Sequence, residues 1–427
     1  MKSLYLLCWC VLMILGMPIA FSLGAICFAF FWIDGGSMTS MPQRMFAALD
    51  SFPLLAVPAF ILAGEVMNSG RLTKRIVEFS RLLVGHIAGG LGHVTVLANV
   101  IVSGISGSAL AEAAGVGSVM IEAMKKQGFH AAFAGSLNAA ASTIGPLIPP
   151  SIPFVIYAVM ASQSAGKMLL AGFAPGILVA IALMIYSYFV SKKRGYPVSE
   201  RASLGQIWQA TLSAFPALMT PFIIIWGIVG GVFTPTEAAA ATVVYALCVS
   251  LFFYRDMHWR ELPSVFRRSA KTTAVVGFII ATANLVSYVL TRERVPQMLS
   301  ETLLSISDER WVILLLINIL LLVLGCFMEG LAIMLLTVPV LLPLVVQLGV
   351  DPVHFGVIVV MNLMIGLISP PFGMALFVVA KVGNIPFADL ARETWPLVIA
   401  LIVVLLICTF SPGVVMALPN LLLGASV

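Results

Sequence analysis

The 427-residue chain is 61% hydrophobic and only 10% charged, with a formal charge of +5 and a mean hydropathy of +1.09. A soluble domain carries roughly 25% charged residues, so this composition excludes one and defines a polytopic membrane protein. Cys8, Cys10, Cys27, Cys248, Cys326 and Cys408 sit in apolar segments without paired metal spacing, which excludes a disulfide framework or a zinc site, and the dispersed basic residues leave no footprint for nucleic acid.

In chain order, apolar blocks near the ~20 residues that cross a bilayer cover residues 4–33, 52–67, 82–124, 130–161, 168–190, 215–232, 238–253, 273–290, 311–348, 353–379 and 395–418. The first block is too long for a signal peptide and lacks a small-residue cleavage site, so it reads as retained membrane helix. Gly16-Met-Pro18 interrupts it, giving two short spans or one kinked span. Residues 70–83 alternate apolar and basic side chains at helical spacing, which predicts a helix lying in the membrane interface, and 295–306 is its counterpart.

Two blocks, 82–124 and 311–348, have about twice the length of one span and break at small or polar residues: Ser103-Gly-Ile-Ser-Gly-Ser108 and Gly325-Cys-Phe-Met-Glu-Gly330. Without a charged turn at the break, each reads as a hairpin that enters the membrane and returns, with two full spans as the alternative.

Internal repetition favours hairpins. Gly145-Pro-Leu-Ile-Pro-Pro150 aligns without gaps on Gly366-Leu-Ile-Ser-Pro-Pro371, and the fixed offset this sets also pairs Arg71 with Arg292, Gly128 with Gly349 and Pro175 with Pro396. If 82–124 is re-entrant, an odd number of crossings separates the halves, which gives an inverted repeat. The charges agree with that topology: 71–81, Lys125-Lys126, 192–201 and 255–271 are basic and fall on one side, the cytoplasmic side by the positive-inside rule. The first hairpin then opens from the cytoplasm and the second from outside.

The expected organisation is an all-α elevator-type scaffold plus transport domain. Residues 1–81 are scaffold and first arm helix, and 82–166 the first transport half, with hairpin 82–126 and broken helix 130–161. Residues 167–310 are scaffold and second arm helix, 311–381 the second transport half, with hairpin 311–348 and broken helix 353–379, and 382–427 a C-terminal helix.

The prolines at Pro149-Pro150 and Pro370-Pro371 remove donors and free upstream carbonyls at membrane depth, where irregular backbone is tolerated only if it lines a cavity or packs on protein. Carbonyls and hydroxyls of this kind are ligands for a desolvated hard cation such as Na+. One cation site is assigned to Ser106, Ser108, Gly145, Ile148 and Pro150, and its symmetry mate to Gly325, Met328, Glu329, Gly366, Ser369 and Pro371. Ser103, Asn138, Ser142, Ser151, Asn362 and Gly373 are candidate substrate contacts, beside half-helix N-termini that attract a carboxylate. For Asn138, Ser142 and Asn362, hydrogen bonding between helices is the alternative. Glu112 and Glu329 are costly if ionised in hydrocarbon and are functional candidates by default, whereas Glu65 and Glu237 lie near segment ends and read as caps.

These motifs resemble the large membrane subunit of tripartite ATP-independent periplasmic (TRAP) transporters, the DctM-like family. Its likeness rests on Leu49-Asp-Ser-Phe-Pro53, Ser106-Gly-Ser108, Gly145-Pro-Leu-Ile-Pro-Pro150, Lys192-Lys-Arg-Gly-Tyr-Pro197 and Met364-Ile-Gly-Leu-Ile-Ser-Pro-Pro-Phe-Gly-Met374, and runs over essentially the whole chain. The resemblance implies sodium-driven uptake of a small organic acid across the bacterial inner membrane by an elevator movement, with sialic acid slightly favoured over C4-dicarboxylates. It implies two partners besides the surrounding lipid: a periplasmic substrate-binding protein and a separate four-helix small membrane subunit, because the fused subunit of some relatives is absent before 4–33. Some relatives carry Asp where this chain has Glu329.

Two other classes fit less well. Gly104-Ile-Ser106-Gly107 matches the G-x-S-G string of rhomboid-like intramembrane proteases, but such a serine needs a histidine base, and His130, His258 and His354 all lie at segment ends or in a loop. A passive channel accounts neither for inverted halves nor for two carbonyl nests. The closer alternative is a stand-alone ion-coupled carboxylate or anion transporter.

Overall fold

The computed structural model describes residues 8–424 apart from 10, 14, 34–36, 70 and 71, and those residues form helices with no strand. Arg71 and part of the 4–33 segment lie outside the described residues. The Gly16-Met-Pro18 interruption is a turn, with Gly16 at φ +82° and the Met17 amide on the Leu12 carbonyl, and α1 (Ile19–Ile33) starts beyond it. Next come α2 (Ser40–Leu49), a 3-10 turn (Phe52–Leu55) and α3 (Ala56–Ser69), with a bend of 66° after α2.

The arm helix α4 (Leu72–Val84) buries Leu72, Ile76, Phe79 and Ser80, one face at helical spacing. It includes Leu82, so the first hairpin begins later than its apolar run: Gly89, at φ +102°, stops the chain and α5 starts at Gly90. The hairpin is α5 (Gly90–Ser106) and α6 (Ala109–Lys126), and the first broken helix is α7 (Ala131–Ser142) and α8 (Ile152–Met160). After α9 (Ala165–Arg194) and α10 (Leu204–Val229), α11 (Pro235–Cys248) runs on through a π-helical turn, Val249–Phe253. The next helix, α12 (Leu262–Arg292), starts well before the apolar segment at 273 because its first turns are amphipathic and sit outside the apolar window.

The second half comprises α13 (Val295–Ile306), the hairpin α14 (Arg310–Phe327) and α15 (Gly330–Gln347), then α16 (Pro352–Ile368) and α17 (Met374–Gly383). The segment from 382 holds two helices rather than one, α18 (Phe387–Phe410) and α19 (Pro412–Leu423), because Ser411-Pro412 ends the first. Helix limits recur at the offset of the sequence repeat: α5 and α14 end at Ser106 and Phe327, α6 and α15 run Ala109–Lys126 and Gly330–Gln347, and α7 and α16 start at Ala131 and Pro352. Seven described helices are long and apolar enough to cross a membrane, and the bent α2–α3 pair makes an eighth.

Packing gathers the helices into two groups that touch each other, the arm helix α4 lying also on α5 and α12 also on α15. In one, α7 lies on α5 and α6, α16 lies on α14 and α15, and both broken helices pack against α18. Helix α9, placed with the scaffold by the sequence boundaries, packs instead on α5, α16, α18 and α19. The reason is a close approach at Gly92, where any Cβ would collide with Ser187. In the other group α4 lies on α10, α3 on α11, and α12 on α1, α2 and α3.

Candidate ion and substrate site at the hairpin tips

At the first tip, α5 ends at Gly107, in left-handed backbone at φ +58°. The space a Cβ would fill there is occupied by the carbonyl of Pro150, so only glycine lets the tip meet the break of the first broken helix. Ser108 then caps α6 by accepting the Ala111 amide.

One turn into α6, Glu112 is 1% exposed. Its Oε1 accepts from Ser106 Oγ at 2.6 Å and its Oε2 from Ser103 Oγ at 3.3 Å. The carboxylate lies against Gly145, where a Cβ would stand 2.5 Å from Oε1. Among the described residues no basic side chain pairs with it. The single Ser103 hydrogen also serves the Asn99 carbonyl at 2.6 Å, so Ser106 is the main hydroxyl donor. A buried carboxylate with no cationic side chain needs a bound cation or a proton to balance its charge.

This geometry brings Ser103, Ser106 and Gly145 onto the Glu112 carboxylate, with Ser108 and Pro150 at the adjoining turn of the tip. Ile148 lies in the same break but turns its side chain to Gly176 of α9. Ser151 donates to the Pro146 carbonyl at 2.5 Å and caps α8. Asn138 donates to the Ala113 carbonyl at 3.0 Å, leaving its Oδ1 without a partner, and Ser142 bonds back to Ala139.

Sequence reasoning named Glu112 as a functional candidate without joining it to Ser103, Ser106 and Gly145. The available signal was its position shortly after Ser106, which returns the carboxylate to the tip. Gly64 of α3 was missed altogether: a Cβ there would lie 3.3 Å from Ser106 Cα, so it admits the tip against α3.

The second tip is built differently. Gly325 and Gly366 press backbone on backbone, a Cβ on Gly366 standing 2.5 Å from Gly325 Cα. Glu329 caps α15, its Oε2 accepting the Ala332 amide at 3.0 Å. Ser369 bonds to the Ile365 carbonyl at 2.7 Å, Pro371 is exposed, Met328 is extended at the end of α14, and Gly373 has φ +29°. Asn362 donates to Asn318 Oδ1 at 2.7 Å, and Asn318 in turn to Thr409 Oγ1 at 3.1 Å, which joins α16, α14 and α18. Both X-Pro bonds, Pro149-Pro150 and Pro370-Pro371, are cis.

A polytopic helical protein with paired hairpins and broken helices, and a buried carboxylate at one tip, has the architecture of a secondary transporter. The family model described as the tripartite ATP-independent periplasmic transporter, DctM component, matches residues 6–414. The chain is 46% identical to the sialic acid TRAP transporter large permease protein SiaM of Vibrio cholerae, over 97% of this chain and 98% of that one. It is 41% identical to the C4-dicarboxylate large permease DctM of Pseudomonas aeruginosa, over 90% of each chain, and 39% identical to the sialic acid permease SiaT of Haemophilus influenzae, over 98% of this chain and 68% of that one. Its fold is similar to the Alcanivorax borkumensis YdaH transporter, with a TM-score of 0.59 at 14% identity over 88% of this chain and 87% of that one.

The chain therefore belongs to the DctM family of TRAP transporter large permease subunits, and is a multi-pass protein of the bacterial inner membrane.

Proposed function

We propose that this subunit is a sodium-coupled permease that imports a small organic acid, of the sialic acid class in preference to C4-dicarboxylates, delivered by a periplasmic binding protein. The single observation that carries the coupling is Glu112, buried with Ser103, Ser106 and Gly145 and with no basic partner among the described residues. Na+ there neutralises the carboxylate and takes hydroxyl and carbonyl oxygens as ligands. The second tip offers Glu329, Ser369 and the carbonyls near Gly325 and Gly366 to a second ion, and the substrate carboxylate lies between the tips.

Support for the sialic acid class is the 46% identity over nearly the whole of SiaM, against 41% over 90% of DctM. The inverted, re-entrant reading is supported by the recurrence of helix limits and by what the first tip touches: Gly64, Pro221 and Pro150, all interior to membrane segments. In the elevator movement, the hairpins and broken helices travel with α9 and α18 past the scaffold, which a separate four-helix small subunit braces. The test is uptake into proteoliposomes containing both membrane subunits and supplied with binding protein. Sialic acid uptake that needs an inward sodium gradient supports the reading. Uptake that persists without the gradient overturns the coupling, and uptake without the binding protein overturns the delivery.

A further inference from the structure

Away from the hairpin tips, a recess of about 530 Å3 opens between the arm helix α4 and the start of α10. Its basic lining is Lys74, Arg75 and Arg81, and its acidic lining Glu78 and Asp256. Two of the basic residues are committed. Arg75 sits 3.4 Å from Asp256 and 4.3 Å over the Tyr254 ring, and Arg81 makes a two-pronged pair with Glu78 at 2.9 and 2.7 Å.

What remains is donors. Lys74 is exposed and has no acidic partner among the described residues. Gln206 uses its Oε1 to accept the Ser203 amide in the capping box, which leaves its amide N–H groups free. Gln209 also lines the recess. An uncommitted ammonium beside free carboxamide donors suits the oxygens of a singly charged phosphodiester.

Two further observations select a lipid as its source. The segments 71–81, 192–201 and 255–271 that flank the recess in sequence are basic, which places it at the cytoplasmic headgroup level. Beside Gln209, Trp208, Leu212 and Phe215 form an exposed apolar stripe along α10, which fits an acyl chain descending from that headgroup. We propose that this recess binds the headgroup of an anionic phospholipid and so fastens the arm helix to α10.

The test is native mass spectrometry of the purified chain titrated with phosphatidylglycerol or phosphatidylcholine of identical acyl chains. Wild type should retain phosphatidylglycerol over phosphatidylcholine by roughly fivefold, the worth of one basic residue at a membrane surface. Lys74→Gln combined with Gln209→Ala should erase the preference, while Lys192→Gln with Lys193→Gln keeps it, with thermal unfolding showing that all variants fold. Equal retention of both lipids by wild type, or a preference that survives Lys74→Gln with Gln209→Ala, overturns the proposal. Displacement of phosphatidylglycerol by millimolar inorganic phosphate assigns the recess to a soluble anion and overturns it as well.

Discussion

Positions 103, 106 and 151 around the first tip are serines, all buried; their repeat partners at the second tip are Leu324, Phe327 and Phe372, and both phenylalanines are exposed, their rings 5.6 Å apart. The acidic residues differ too. Glu112 is sealed among hydroxyls, whereas its counterpart is Ile333, and the acid of the second tip, Glu329, stands where the first has Ser108 and caps a helix. The repeat has therefore kept the backbone punctuation and exchanged the side chains. Duplication supplied two frames, and the fully buried carboxylate stands in one of them.

The largest effect expected in breaking this comparison comes from the glycines. Gly366→Ala sets a Cβ 2.5 Å from the backbone of Gly325, which cannot yield, whereas Gly145→Ala meets the end of the Glu112 side chain. Gly366→Ala should destabilise the protein by about 3 kcal/mol or more, the upper range of overpacking, and Gly145→Ala should leave it folded with uptake abolished. Thermal unfolding read beside uptake distinguishes them, and equal losses of stability would erase the contrast.

Next are the acids. Glu112→Gln should lower sodium-driven uptake by about 100-fold, equivalent to roughly 3 kcal/mol for a bound cation deprived of its carboxylate partner. Glu329→Ala should cost about 1 kcal/mol of stability as a lost cap and reduce uptake less. Reversal of that order in transport assays would move the principal coupling site to the second tip.

Smaller again is the contrast between hydroxyl and ring. Ser106→Ala strips Glu112 of its shorter hydrogen bond and should cost about 1–3 kcal/mol, while Phe327→Ala, at an exposed ring, should cost about 1 kcal/mol or less. Chemical or thermal unfolding of the pair measures the difference.

The smallest effect lies in the arm helices, where Glu78 and Arg81 of the first correspond to Leu299 and Thr302 of the second. The hydrogen bond from Arg81 holds the Glu78 carboxyl below its usual range, partial burial opposing it. A depressed acid contributes stability that is full above its unfolded value, about 4.3, and is lost as pH falls through the lower folded value. Glu78→Gln should flatten that acid limb by a few tenths of a kcal/mol, as for an exposed pair. Thermal unfolding from about pH 6 down to about pH 3 follows the loss.

Much of the framework is legible residue by residue. Pro149-Pro150 and Pro370-Pro371 mark both breaks because proline acts on its own turn of helix, and Gly107 and Gly325 mark both tips because close backbone approach admits no Cβ. Helix limits were less legible: Leu82 is apolar enough for the hairpin yet belongs to the arm, because the stop is set by the glycines at 85, 89 and 90. The roles of Asn138 and Asn362 were open in the sequence between pocket and packing, and contacts with Ala113 and Asn318 join them to neighbouring helices.

The sequence by itself determined that this is a membrane protein, that its two halves repeat at one fixed offset, and where its helices break, since composition, charge bias and proline chemistry are local properties. Only the tertiary structure decided that Glu112 meets Ser103 and Ser106, that Gly145 makes room for it, and that α9 and α18 pack with the broken helices. The reason is physical: whether a carboxylate is sealed or solvated depends on which helices close around it, and those contacts join residues far apart in the chain.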